Sequence, residues 1–310
     1  MRTALILAGV TILTAPAPSA RAADLAPLFP DGTWMVLGVE VQGVHESPLG
    51  KELFGKDSRL TASRKLFAAF GHEDGAALLK SLEPLEPCLN SATRVTVTAP
   101  LGGAFRESDD AAIFVEGEFD DAEVTKGIKA YCERAELPYK SEKIGERTVH
   151  VISGDATVRA VRLDKTTVAV AFTANAITNL LDRQSGKLKS KAPRAIVEAV
   201  QKIDPAVTPV WLVVGENRVD DVVEYTRMIA TVSLAADVKL SIRMEAPDAE
   251  AAERCKKTLE LYAGILRIAK ELRLAQSLGA SAKIEVAGTN ATATATIPAK
   301  ALATEYAKQK

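Results

Sequence analysis

Histidine and cysteine are scarce, with three of each in 310 residues, and aromatic residues make up only 5%. There is no phosphate-binding loop: Gly50-Lys51 runs on to Glu52 and Gly186-Lys187 to Leu188, where a Ser or Thr would be needed to hold magnesium. Neither a GxSxG elbow nor an HExxH helix occurs. A zinc site or a histidine-dependent triad would have to draw on His45, His72 and His150. His45-Glu46 and His72-Glu73-Asp74 are adjacent pairs, which point apart on any regular element. His150 stands between Val149 and Val151, on what reads as the polar face of a strand. All three histidines are therefore expected at surface or loop positions, and the sequence assigns no catalytic, cofactor-binding or metal-binding residue. Long basic runs are also missing, and the formal net charge is −1. That argues against nucleic acid as a partner, because phosphate contacts need clustered Lys and Arg.

Long apolar runs are absent too. The longest, Ala4 to Leu13, is about half of the roughly 20 residues a membrane-spanning helix needs. Arg2 precedes it, and the small-residue, helix-breaking stretch TAPAPSARA follows, with Pro16 and Pro18. This order is that of a cleavable export signal, with small residues at Ala20 and Ala22 placing the cut between Ala22 and Ala23. A retained anchor would need more apolar length, and no cysteine follows the run to carry a lipid. Removing residues 1–22 takes out Arg2 and Arg21 and no acid, so the charge of the remainder is −3.

Cys88, Cys132 and Cys255 all lie beyond the leader. An oxidising compartment permits a disulfide, and a Cys88–Cys132 bridge is conceivable, but an odd number leaves at least one thiol over. Cys132 and Cys255 occupy apolar positions of predicted helices, so separate buried thiols are favoured.

Periodicity then orders the chain. A Pro-rich lead-in precedes a strand at Trp34 to Val41, and helical spacing runs from Ser47 to Leu82 in three short pieces. Strands at Arg94 to Ala99 and Ala111 to Phe119 flank a loop with Gly102-Gly103; Val95 and Val97 mark an apolar face, Arg94, Thr96 and Thr98 a polar one. Asp120 caps a helix over Asp121 to Ala135, with Glu123 completing an approximate capping box. Hairpins turn at Gly145-Glu146 and Asp164-Lys165, and helices follow at Asn175 to Asp182 and Pro193 to Ile203. The basic stretch Arg183 to Lys191 reads as a linker. Beyond it come a strand at Trp211 to Gly215, a short helix near Val219 to Arg227, and strands at Met228 to Leu234 and Val238 to Glu245. One long helix, Asp248 to Leu278, stops at Gly279; its wide apolar stripe, including Leu259, Leu261, Tyr262, Ile265 and Ile268, predicts packing on a sheet. A hairpin turning at Gly288-Thr289-Asn290 closes the chain, its last strand alternating Ala and Thr so that a helix can lie close.

The two halves match in order. Each has a Pro-rich lead-in, a Trp-led strand (WMVLGVE from Trp34, WLVVGE from Trp211), a strand entering a helix through Asp-Ala-Glu (Asp121, Asp248), and a hairpin with glycine at its turn. Alternating strands in hairpins imply antiparallel sheets. The fold class is therefore α+β: two similar units of antiparallel sheet covered on one face by helices, including one long helix in the C-terminal half. The divisions are residues 1–22 (signal peptide), 23–190 and 191–310, the latter two able to form one continuous domain.

Acid pairs at Asp109-Asp110, Asp120-Asp121 and Asp220-Asp221 fall at turns and helix starts, where capping and the helix dipole account for them. Lys140, His150, Arg159 and Arg162 could form a mildly basic sheet face, though a solvated polar face explains them equally. Asn290-Ala291-Thr292 matches a glycosylation acceptor at a tight turn.

The segments WMVLGVEVQGVHESPLGKELFG, SATRVTVTAP, IFVEGEFDDAE, GERTVHVI and TTVAVAFTANAITNLLDR resemble a family of exported bacterial proteins of unassigned function. These carry a signal peptide and repeated α+β units, a "GxFD" step from strand to helix (Gly117 to Asp120) and a "T-x-V-A" strand leading to an Asn- or Ser-capped helix (Thr167 to Asn175). The resemblance implies export and no activity. The expectation is thus a soluble protein of the periplasm or cell envelope, a non-enzymatic module binding an unknown protein or envelope ligand. A hydrolase with a dispersed carboxylate site is the alternative, and a self-associating structural component a third. Two acids and an arginine converging in a pocket would favour the hydrolase, and an exposed apolar patch the binder.

Overall fold

The computed structural model describes residues 22–55, 57–58, 61–63, 65, 83–101, 107–154, 156–219, 222–268 and 273–308. A 3-10 turn at Ala22–Leu28 leads into β1 (Thr33–Glu40), α1 (Val41–Glu46) and α2 (Pro48–Phe54). Helix α3 (Glu86–Ser91) precedes β2 (Ala92–Pro100) and β3 (Ala112–Gly117). Helix α4 (Asp121–Arg134) then crosses to two hairpins, β4 (Tyr139–Ile144) with β5 (Arg147–Ile152) and β6 (Val158–Arg162) with β7 (Thr167–Ala171). After α5 (Ala174–Gln184) and α6 (Arg194–Gln201) come β8 (Val210–Val214), the small pair β9 (Asn217–Val219) and β10 (Val222–Tyr225), then β11 (Arg227–Leu234) and β12 (Val238–Glu245). Helices α7 (Ala249–Ile268) and α8 (Arg273–Ser281), the hairpin β13 (Lys283–Ala287) with β14 (Asn290–Ile297), and α9 (Ala299–Ala307) complete it.

Twelve strands form one sheet in the order β13-β14-β12-β11-β8-β1-β2-β3-β7-β6-β5-β4, and every pairing is antiparallel. In each half a three-strand meander is followed by a helix and by hairpin strands of which the last returns beside the third: β7 next to β3, β14 next to β12. The halves meet at the β1–β8 ladder, where Gly38 pairs with Trp211 and the Gly215 N–H donates to the Trp34 carbonyl at 2.7 Å. The two Trp-x-x-x-Gly strands thus run past one another with each tryptophan set against the other's glycine. A Cβ on Gly38 would come 2.0 Å from the Trp211 ring, so that position requires a residue without a side chain; one on Gly215 would come 3.0 Å from Trp34 Cδ1, a tight contact that a small shift of the indole could relieve. The hairpin glycines Gly145 and Gly288 have φ of +59° and +60°, the left-handed region that glycine enters without steric penalty.

The core divides by face. On one side of the first half, Phe29, Phe114, Val161, Ile177, Leu180 and Ile196 pack under the 3-10 turn, α5 and α6, together with Trp211 and Val213 of the second half. On the other, Ile128 and Cys132 of α4 lie on Ala160, with Ile152 and Val170 beside them. In the second half, Ala251, Ala252, Cys255 and Leu259 of α7 sit on Met244 and Ala291, close-packed because the facing row of β14 is alanine. The opposite row of β14, Thr292, Thr294 and Thr296, looks away from α7 beside Arg243, Ser241 and Lys239.

Several sequence expectations change. The polar row of β2 is not solvated: Arg94, Thr96 and Thr98 are buried, because the helical layer of the first half covers that face. The single helix expected from Asp248 to Leu278 is two, α7 and α8, and Gly279 lies inside α8. There a Cβ would meet Arg267 N at 2.6 Å, so the glycine serves close helix packing rather than a stop. The helix expected near Val219 to Arg227 is the β9–β10 hairpin, in which Tyr225 is packed against the α7 cluster. The supposed linker at Arg183 to Lys191 is pinned to the start of the chain: Arg183 pairs with Asp31 at 3.0 Å, the Lys191 N–H donates to Asp31 at 2.9 Å, and Ser190 donates to the Phe29 carbonyl at 2.7 Å. Helix α5 is capped by Thr173, whose hydroxyl accepts from the Ala176 N–H at 3.0 Å, and not by Asn175. The chain does not close on a hairpin, since α9 follows, its Leu302 buried against Leu49 and Leu274. Cys132 and Cys255 are free and buried, which removes the Cys88–Cys132 bridge. The expected helices over residues 66–82, with His72, the Gly102-Gly103 loop and Asp220-Asp221 lie outside the described residues.

Candidate functional site

Glu40 at the end of β1, Arg94 near the start of β2 and Glu116 near the end of β3 lie on the same face, in neighbouring register positions. Arg94 donates through Nε to Glu40 Oε1 and through Nη1 to Glu116 Oε2 at 3.4 Å. This is the convergence of two acids and an arginine that a hydrolase would need, and it was missed in sequence because each residue sits alone among apolar neighbours. Desolvation pushes the Glu40 carboxyl above its ordinary value, with the Arg94 charge pulling the other way. Arg94 is only 1% exposed and the acids 5% and 6%, so the cluster is sealed in the interior and no substrate reaches it. Arg94 Nη2, Thr96 Oγ1 and Trp211 Nε1 are buried on this face with no hydrogen-bond partner among the described residues.

His150 is not a surface histidine. It projects from β5 to the α4 side of the sheet, 8% exposed, and its Nδ1 shares a hydrogen bond of 2.9 Å with the Tyr139 hydroxyl. Burial lowers its pKa, against the opposing charge of Asp121 and with help from Lys129, so the ring is neutral at pH 7. It borders a cleft of about 490 Å³ with Asp121, Thr125, Lys143, Thr148, Arg162 and Lys165. Asp121 is held by Arg162 at 2.6 Å, and the Thr148 hydroxyl accepts from Lys143 at 2.9 Å. Asp121 and the Thr148 hydroxyl are thus already engaged, and among the described residues no serine or cysteine lines the cleft. The expected basic face is split: His150 and Arg162 are on this side, while Arg159 pairs with Val151 and Ala171 on the other and donates to the Phe172 carbonyl at 2.8 Å.

A wider cleft, about 710 Å³, lies where the end of α6 and the loop at 204–208 overhang the polar side of β11 and β12. Of its two carboxylates, Glu245 is shared between Arg227 at 2.5 Å and Arg243 at 2.9 Å, and Asp204 accepts from the Ala206 N–H at 3.0 Å. Of the remaining acid pairs, Asp120 caps α4, accepting from the N–H groups of Ala122 and Glu123 at 2.8 and 3.0 Å. Asp109 instead reaches across to the start of α5, where it accepts from Thr173 and, at 3.2 Å, from Asn175. Among the described residues no group of three His, Cys, Asp or Glu side chains is arranged to hold a metal, and no helix is long and apolar enough to cross a membrane.

Four of the seven exposed large apolar side chains among the described residues are on α7. Leu261 is 63% exposed, Tyr262 58%, Ile265 49% and Ile268 74%. These residues were expected against the sheet, but α7 uses Ala251, Ala252, Cys255, Leu259 and Ala263 for that contact and turns the larger side chains outward. Four large apolar residues together on one helix face are more than the scattered single exposures of an ordinary surface.

No protein-family model, curated protein or solved structure matches the chain.

Proposed function

We propose that this is an exported protein of the periplasm or cell envelope that works by binding rather than by catalysis, with the outer face of α7 as its contact surface. The observation that carries the reading is the exposed cluster Leu261, Tyr262, Ile265 and Ile268. Exposed apolar area of this kind is stabilised by covering it, at roughly 25 cal/mol per Å² removed from water. The competing hydrolase is disfavoured where acids and arginines meet: Glu40 and Glu116 are buried beside Arg94, and in the open clefts Asp121 is paired with Arg162 and Glu245 with Arg227 and Arg243.

Export rests on the leader. Its cleavage between Ala22 and Ala23 would leave the core intact, since the first buried side chains of the described chain, Leu25, Ala26 and Phe29, follow the cut. The reciprocal setting of Trp34 against Gly215 and Trp211 against Gly38, with the shared strand order, supports reading the two halves as related copies. Tagged protein recovered from the envelope fraction of its own cells tests the reading. A partner captured by the native chain and lost with Ile265→Glu is the expected result. Recovery of no reproducible partner, or of the same set with both chains, contradicts it.

A further inference from the structure

The outer face of α7 changes character along its length. Its first half carries Glu250, Glu253, Arg254 and Lys257; its second half carries Leu261, Gly264, Ile265 and Ile268. At 3.6 residues per turn, Leu261, Gly264, Ile265 and Ile268 share one sector of the helix, opposite the Ala252, Leu259 and Ala263 face that lies on the sheet. Gly264 is the unexpected member, because glycine is among the poorest helix formers and needs a reason to stand inside a 20-residue helix. Nothing among the described residues provides one: a Cβ there would meet no atom within 4 Å. Gly279 is the contrast, since its own packing partner, α7, fills the space.

We infer that this face is the seam of a homodimer, in which α7 of two copies cross antiparallel about a two-fold axis at Gly264. The inference rests on the binding reading above and names its partner as a second copy of this chain. On a two-fold axis a residue meets its own copy, and a glycine at the crossing lets the two backbones approach while the flanking side chains interdigitate. Leu261 of one copy then packs beside Ile268 of the other, with Ile265 close to the axis and Tyr262 at the rim. Glu260 and Arg267, both exposed, stand four residues before and three after Gly264, and Arg267 donates through Nε to the Gly279 carbonyl at 2.7 Å, which holds its guanidinium at the α8 edge of the seam. The two-fold brings Glu260 of each copy toward Arg267 of the other, so the charges beside the seam are complementary in the antiparallel arrangement. A specific interface buries on the order of 1,000 Å² or more. Eight large side chains, each about half exposed or more in the single chain, supply most of it. A lipid surface fits less well: helices that lie on membranes are rich in Lys and Arg, whereas α7 mixes Glu250, Glu253 and Glu260 with Arg254, Lys256, Lys257 and Arg267.

Sedimentation velocity across a dilution series of the chain, in the form its producing cells release, tests this. The native chain is expected as a dimer that dissociates on dilution, and Ile265→Glu and Gly264→Leu are each expected to raise its Kd at least tenfold. Gly264→Leu is the sharper variant: its side chain has open space in the single chain, so circular dichroism and melting temperature should hold while the dimer is lost. A native chain that stays monomeric at every concentration, or a dimer indifferent to both variants, overturns the inference, as does a monomer that floats with phosphatidylcholine vesicles through Ile265. If the chain is monomeric and Ile265→Glu still abolishes capture of a different protein, the dimer falls and the binding reading stands. Loss of both would show as a monomer with no Ile265-dependent partner.

Discussion

Trp211 occupies the space that a side chain at Gly38 would need, its Cζ2 and Cε2 atoms lying 2.0 and 2.1 Å from where a Cβ would be placed. The contact locks the central β1–β8 ladder, because shifting either strand by two residues would drive the indole into Val36 or Glu40. Overpacking a tight core costs typically 1–3 kcal/mol and occasionally more. Gly38→Ala should therefore lose about 3 kcal/mol in chemical denaturation or fail to fold. Gly215→Ala, where the nearest atom is 3.0 Å away, should lose clearly less. Equal losses would mean that the two sites are not packed as described.

Arg94 should be far more sensitive than the acids it holds. Arg94→Ala strands two buried carboxylates and is expected to cost about 3–5 kcal/mol. Glu40→Gln removes a desolvated charge and leaves Arg94 paired with Glu116. Because the folded Glu40 carboxyl titrates above its unfolded value, its contribution to stability falls as pH rises from 4.5 through the folded pKa. The native chain should thus lose ground to Glu40→Gln between pH 4 and pH 7, read as the difference in denaturation midpoints. A constant difference would contradict this.

His150 gives the opposite slope. Its folded pKa lies below the ordinary 6.5, so the unfolded chain takes up the proton first as the solution is acidified. Stability is full above pH 6.5 and declines as pH drops below it. Replacing His150 with Leu, which cannot charge, should flatten the melting temperature between pH 7 and pH 5, while loss of the Tyr139 hydrogen bond lowers it throughout.

Cys132 and Cys255 are buried, and desolvation raises both thiols above the usual range. Neither should react with an aromatic disulfide reagent in the folded chain, and both should react in denaturant. Rapid labelling of either under native conditions, located by mass spectrometry of peptides, would contradict the packing of α4 and α7.

Much of the fold is written in local patterns. The Asp120 cap, the glycine turns at Gly145 and Gly288, and the alternating rows of β12 and β14 are each set by neighbours in sequence, and each stands where its residues point. The two Asp-Ala-Glu helices differ in their caps: Asp120 caps α4, but in α7 it is Asp248, the first residue of its Asp-Ala-Glu, that caps by accepting from the Ala251 N–H. Long-range relationships were not legible. Arg94 reads as a solvated residue until α5, α6 and the 3-10 turn are laid over its face, and no local pattern announces that layer. For the same reason the stripe on α7 was misassigned: alanines suffice against the thin Ala row of β14, which frees the larger side chains for the outer face. A wide stripe with Leu, Tyr and Ile on one side and Ala on the other was the available signal, and residue size decides which side turns inward.

The central claim, that this chain acts by being covered on the outer face of α7, is tested most directly by a photo-crosslinking residue at position 265 in living cells, with position 294 on the polar side of the sheet as control. The account predicts an adduct at 265, of twice the chain's mass if the partner is a second copy, and none at 294. No adduct at 265, or equal adducts at both positions, would contradict it.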